Sequence, residues 1–202
     1  MTVVKAGNKD TFSGKVGNLV VVSRGETTYL RSMPNYTNES WTPKQARARK
    51  RFSIVSKFCM GYKLKLIVPI WNLLPGNACG YSQFLGANSQ AFDSEGVIGD
   101  WSMLNFSDGS LPPPQQIEAI MVDNEITVSW VNDPNVAPAR LNDELWLMVL
   151  AGDRVDGPVK TGLTRGKQGG VVYNVDPSAR ALYLFFAAPD QKAFSPDRFV
   201  EL

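Results

Sequence analysis

From residue 116 onward the chain repeats one rhythm, in which short runs of alternating or continuous apolar residues are broken by Asp, Asn, Gly and Pro. Segments 116–122, 125–131, 143–151, 154–161, 169–175, 181–188 and 194–201 each carry strand chemistry. About seven short strands in about ninety residues predict an antiparallel β-sandwich. Asp123-Asn124 supplies a tight hairpin turn between the first two, and Trp130 ends the second where a sandwich buries an aromatic. The earlier half is patterned differently. Asn18–Ser23 is β-branched and apolar, Thr27–Ser32 alternates, and Arg24-Gly25-Glu26 between them has turn chemistry, so a hairpin is predicted. Gly14 and Gly17 permit a bulge or tight turn at its entry, and Met33–Trp41 reads as a loop.

Thr42-Pro43-Lys44-Gln45 is the clearest helix start in the chain. A Thr cap, Pro at the first helical position and Gln three residues after the cap form a capping box. Ala48, Phe52, Val55, Cys59, Tyr62 and Leu66 then recur at spacings of four and three, one apolar helical stripe. Gly61 divides the helix, and Pro69 and Pro75-Gly76 end the helical region. Residues 64–74 are too apolar to stay exposed, so another domain or another subunit is expected to cover them. Residues 76–108 are rich in Gly, Ser and Asn, with Ala78–Leu85 and Trp101–Phe106 as strand candidates. Leu111-Pro-Pro-Pro114 is stiff and extended, as an interdomain linker would be. The expected organisation is mainly β with a helical element: an α+β module of hairpin plus helix over 1–110, a linker at 111–115, and the sandwich over 116–202.

Composition narrows the chemistry. The 202 residues include no histidine, which removes Ser-His-Asp and Cys-His catalysis and His-ligated zinc. Cys59 and Cys79, the only two cysteines, cannot fill a four-cysteine zinc site or staple a disulfide framework. No cofactor is implied. No window approaches the ~18 apolar residues of a membrane span, and Met1–Ser13 has no apolar signal region, so cytoplasmic synthesis is expected.

Net charge is +2 overall but divides sharply. Residues 1–75 carry 13 Lys and Arg against 3 Asp and Glu; residues 76–202 carry 8 against 16. Such a split implies an acidic partner for the basic end, including nucleic acid, or the acidic end of another copy. Lys44, Arg47, Arg49, Lys50 and Arg51 crowd the first turns of the capped helix, where cations oppose the helix dipole by roughly 0.3–1 kcal/mol each. A fold that accepts this has an anionic neighbour, and Lys44, Arg47, Lys50 and Arg51 are the partner-binding candidates. The neighbour is nucleic acid phosphate, an acidic patch of the sandwich, or another copy; the bland alternative is a solvated basic face.

Asp93, Glu95 and Asp100 sit close in a Gly-containing loop and are the only carboxylate group to weigh for hydrolysis or calcium, although their spacing does not fit an EF-hand. Turn-making is the simpler reading. Asp143-Glu144 at a strand start reads as ordinary gatekeeping. Gly162–Gly170 lacks Walker spacing and reads as a hairpin loop, and Cys59 on the stripe as a small buried hydrophobe.

"ITVSWVND", "DELWLMVLAG", "ALYLFFAAPD" and "SPDRFVEL" together resemble the strands of a fibronectin type III or immunoglobulin-like module, without the immunoglobulin disulfide. "GKVGNLVVVSRGETTYLRSMP", "TPKQARARKRFSIVSKF" and "LNFSDGSLPPP" are similar to a widespread family of uncharacterised proteins of about this length from Bacteroidetes and their mobile elements. The first resemblance implies a spacer or binder, and the second a mobile-element setting with no catalytic residues to carry over. The expectation is a non-enzymatic structural or interaction protein, an auxiliary subunit or decoration protein of a large assembly such as a phage particle, located in the virion in that case. Its partners are copies of itself or other subunits. The alternative is a nucleic-acid-associated protein using the basic helix 43–60.

Overall fold

The computed structural model describes residues 2–4, 13–24, 27–34, 41–76, 78–172 and 174–202. The chain is mainly β, with three antiparallel sheets among the described residues, and divides into two compact units, Met1–Gln45 and Ala46–Leu202.

The first unit contains a four-stranded sheet of β1 (Thr2–Val4), β2 (Gly14–Val16), β3 (Leu19–Arg24) and β4 (Thr27–Ser32), ordered β1-β4-β3-β2. The predicted hairpin is its centre: Val21 faces Leu30 and Val22 faces Tyr29. Ser23 and Thr28, opposite one another, join their hydroxyls at 2.8 Å. Gly25, Glu26 and residues 35–40, on which the expected turn and most of the expected loop fall, lie outside the described residues. No described side chain of residues 13–34 is buried.

Helix α1 (Pro43–Gly61) begins where the capping box places it. Gln45 N–H donates to Thr42 Oγ1 at 3.3 Å, and Thr42 N–H donates to Gln45 Oε1 at 3.0 Å. From Ala46 onward this helix clusters with the β-sandwich, so the basic module expected over 1–110 is not a compact unit. Past Gly61 the helix widens into a π turn over Lys63–Ile67, with Val68 N–H donating to Lys63 O at 2.9 Å. The widening follows Tyr62, whose hydroxyl is anchored on Val155 O at 2.8 Å.

Seven strands of the second unit form two sheets. One holds β5 (Gln115–Val122), β6 (Glu125–Val131) and β9 (Gly169–Val172), in the order β5-β6-β9. The other holds β7 (Glu144–Ala151), β8 (Arg154–Thr164), β10 (Ala179–Ala187) and β11 (Arg198–Glu201), in the order β11-β10-β7-β8. Their facing sides share a core of Ile126, Val128, Trp130, Leu145, Leu147, Val149, Leu182, Leu184 and Phe186. This is the predicted sandwich, with a three-plus-four division of strands.

The opposite side of the four-stranded sheet is buried as well. Trp146, Met148, Leu150, Tyr183 and Phe185 pack against Val55, Cys59, Leu66, Ile70, Trp71 and Phe106. The unit therefore has three layers, helical segment, central sheet and outer sheet. Strands β7 and β10 are buried on both faces, which is why "LWLMVL" and "ALYLFFAA" run apolar without alternation. The expected cover for residues 64–74 thus comes from the chain's own sheet: Leu66, Ile67, Ile70 and Trp71 are buried, while Leu64 and Leu73 are left outside.

Two further expectations change. The strand candidates Ala78–Leu85 and Trp101–Phe106 are instead helix α2 (Gly80–Asn88) and a 3-10 turn, Trp101–Met103. Gly80, Phe84 and Asn88, spaced by four, bury one helical face that the turn-rich composition obscured. The proline run is no free linker either. Leu111 and Pro114 are buried, Leu111 N–H donates to Phe194 O at 3.0 Å, and Pro112 O accepts from Arg165 Nη2 at 2.8 Å. A Cβ at Gly109 would run into the Phe194 carbonyl, so the strap lies against its neighbour only because glycine precedes it.

Candidate functional site

Residues 41–50 are exposed throughout, so the first turns of α1 stand outside the core that holds Val55 and Cys59. Ala48 and Phe52 belong to the predicted stripe yet are exposed, Phe52 at 59%, because the stripe overruns the surface that buries it. Lys44 and Arg47 lie in this overhang. Lys50 Nζ meets Glu95 Oε2 at 3.2 Å, both side chains more than half exposed, an ion pair of small energetic weight.

Arg51 has a different role. Its Nη2 donates to Ser89 O at 2.5 Å and to Phe92 O at 3.1 Å, and Nε reaches the same Phe92 carbonyl at 3.3 Å. These carbonyls flank the 3-10 turn Ser89–Ala91 that extends α2, where carbonyl groups carry partial negative charge. Part of the anionic neighbour predicted for the basic helix is therefore another helix end of the same chain. Of the four candidates, Arg51 is committed to packing, Lys50 to a surface pair, and Lys44 and Arg47 face solvent.

The loop carboxylates are each used locally. Asp93 Oδ1 accepts from Glu95 N–H at 2.8 Å and Val97 N–H at 2.9 Å, and the Val97 bond leads in holding its pKa below the ordinary value. Asp100 Oδ1 caps the Trp101–Met103 turn through Ser102 N–H at 2.9 Å and Ser102 Oγ at 2.6 Å. Asp100 lines a depression of about 410 Å³ with Arg180 and Glu201, away from Asp93 and Glu95. Neither Asp93 nor Glu95 lines that depression, and among the described residues no three Cys, Asp or Glu side chains are grouped to hold a metal ion.

Sequence reasoning missed a fully buried ion pair. Asp143 and Arg165 are both fully buried, with Nε and Oδ2 3.5 Å apart, and Arg165 stacks 3.7 Å above the Phe186 ring. Burial raises the Asp143 pKa and lowers that of Arg165, each against the attraction of the other. Asp143 is thus no gatekeeper; Arg165 donates to the proline strap and ties it to the sandwich. Nothing in "GLTRGKQGG" distinguishes this arginine from a surface one. Glu144 likewise turns inward, accepting from Trp146 Nε1 at 3.0 Å and from Gly162 N–H at 2.9 Å. Cys59 is the buried hydrophobe expected, its thiol pushed up to about 12 by burial.

No protein-family model matches the chain, and no curated protein does. Among solved structures it is similar to the fibronectin type III domain of human contactin 1, with a TM-score of 0.31 and 14% identity over 48% of this chain and 79% of that one. It is also similar to chicken CNTN1 FN1-FN3 domains, with a TM-score of 0.32 and 16% identity over 48% of this chain and 33% of that one. The sandwich architecture itself stands on the strand pairing and shared core described above, and a sandwich of this kind does not by itself name a function.

The solvent side of the helical layer is apolar and basic. Met60, Leu64 and Val68 follow one another at intervals of four along the solvent side of the helical layer, 48%, 81% and 47% exposed. Lys57, Lys63 and Lys65 lie among them, also exposed. Residues 43–67 contain eight Lys and Arg and no Asp or Glu.

Proposed function

We propose that this chain is a non-catalytic structural or interaction protein, a subunit or decoration protein of a large assembly. The observation that carries the reading is the uncovered apolar and basic face of residues 57–68, set in a unit whose loop carboxylates are already engaged in capping and pairing. Large apolar side chains clustered on a surface mark contact sites. The first unit adds a second surface without a buried face, since none of its described side chains at 13–34 is buried. Such a sheet gains little from apolar burial by itself. A phage-type particle is the assembly that the mobile-element resemblance points to.

Sedimentation of the native source tests this. Co-sedimentation with particle-sized material after a high-salt wash is expected; a slow-sedimenting pool alone would end the assembly reading. The exposed cations Lys44 and Arg47 support a second reading, nucleic-acid binding through helix 43–60. That reading predicts retention on DNA or RNA falling steeply with salt. Lack of retention at low salt discards it.

A further inference from the structure

The helical layer and the outer sheet lie on opposite sides of the central sheet, and the solvent face of the outer sheet has complementary chemistry to that of the helices. On β5 and β6 the residues that point away from the core are Glu118, Ile120, Val122, Glu125, Thr127 and Val131. Register places Ile120 beside Thr127 and Val122 beside Glu125, with Val171 of β9 next to Thr127. Ile120 is 64% and Val122 65% exposed, unusual for residues of their size. No Lys or Arg occurs in residues 115–139 or 168–179, so this face is acidic and apolar throughout.

We infer that the basic helical face of one copy docks on the acidic face of the β5-β6-β9 sheet of a second copy. The inference rests on the assembly reading above and names its contact. Charge complementarity selects the occupant: helix face against helix face would oppose Lys57, Lys63 and Lys65 to themselves, and sheet face against sheet face would oppose Glu118 and Glu125. Apolar residues lie among the charges on both faces: Met60 to Val68 spans roughly 12 Å at helical rise, and Ile120 to Val122 roughly 7 Å along a strand. The two faces belong to different sides of the same unit, so the contact is heterologous. Each added copy presents a fresh face, and the association runs on into a chain or closes as a ring.

Sedimentation velocity of the full chain over a concentration series is the test. The wild-type chain is expected to grow beyond the monomer at low salt and to shrink towards it at high salt, where exposed charges are screened. The triple variant Lys57→Glu, Lys63→Glu, Lys65→Glu and the double variant Glu118→Lys, Glu125→Lys each lose association by roughly tenfold or more. Mixed together, they associate again in alternation, because the intact sheet face of the first meets the intact helical face of the second and the reversed helical face of the first meets the reversed sheet face of the second. A chain reversed at all five positions associates again. If a reversed variant fails to fold by circular dichroism, Leu64→Ser and Ile120→Ser probe the same two faces. A wild-type chain of monomer mass at every concentration, variants with unchanged association, or a mass increase only on adding a DNA oligonucleotide would overturn the inference. These outcomes are separate from the particle test: a monomer that still sediments with particles keeps the assembly reading and loses only the second copy as partner.

Discussion

The central sheet is covered on both faces, but by different means. Towards the outer sheet its cover is mostly aliphatic, with Leu145, Leu147, Val149, Leu182 and Leu184 meeting Ile126 and Val128 beside the edge-to-face pair of Trp130 and Phe186. Towards the helices it is aromatic: Phe106 meets Tyr183 at 4.6 Å and 72°, and Tyr62 meets Phe106 at 5.3 Å and 65°. Sheet-on-sheet packing inherits its order from strand ladders on both sides. Helices and turns laid on a sheet lack that ladder, and here aromatic residues with polar ends hold them in place. Tyr183 Oη donates to Trp101 O at 2.6 Å, Tyr62 Oη to Val155 O at 2.8 Å, and Trp71 Nε1 to Phe106 O at 3.0 Å. Edge-to-face pairs add about 0.5–1.5 kcal/mol each beyond burial, and a polar tip that finds a partner fixes one orientation.

The sandwich side should break most severely at its ion pair. Arg165→Leu leaves Asp143 buried with only the partly exposed Arg140, 3.7 Å from its Oδ1, as counter-charge, and about 3 kcal/mol of stability is expected to go. Removing both, Asp143→Leu with Arg165→Leu, should cost much less than the sum. Urea denaturation of the four proteins of that cycle measures it, and strict additivity would show that the two groups do not act as a pair.

The junction between the helical segment and β11 is expected to respond to pH. Asp197 Oδ1 accepts from Phe106 N–H and Ser107 N–H, each at 3.2 Å, yet burial outweighs these bonds and raises its pKa from 3.8 to about 7. The folded chain therefore holds this proton more tightly than the unfolded one, and between those values stability falls as pH rises. In Asp197→Asn the amide oxygen still accepts both bonds and the contribution of this group to the slope should be lost, leaving that of the buried Asp143. Urea midpoints at acid and neutral pH report it; an unchanged slope would place the titrating group elsewhere.

The smallest effect should come from the polar tips on the helical side. Tyr183→Phe and Tyr62→Phe keep the rings and lose one hydrogen bond each, for about 1 kcal/mol apiece. Hydrogen exchange is expected to rise in α1 and α2 before the sandwich strands change, since the tips hold the helical layer. Equal acceleration in both layers would contradict the comparison.

Much of the sandwich was legible. Glu125–Val131 and Glu144–Ala151 fall within a residue of their predicted bounds, and Thr42 caps α1 through both reciprocal bonds. Local chemistry sufficed there, because alternation, turn residues and caps act over a few neighbours. Residues 80–91 were misread because Gly, Ser and Asn dominate them, and the helix is held by burial of Phe84 and Asn88. The partner-binding candidates divided for a similar reason. Arg51 and Lys44 look alike in the sequence, and only folding brings Ser89 O and Phe92 O to the first.

The sequence by itself determined the strands of the sandwich, the helix start, the absence of histidine chemistry and the division of charge. Tertiary structure decided which layer covers which. A run such as "LWLMVL" states that both faces must be buried but not by what, since hydrophobic burial has no direction and any apolar surface of matching shape can satisfy it. The fold supplied residues 55–71 as that cover and left Leu64 outside. It also buried Arg165 with Asp143 and placed the basic and acidic faces on opposite sides of one unit, because those outcomes depend on contacts between residues far apart in the chain.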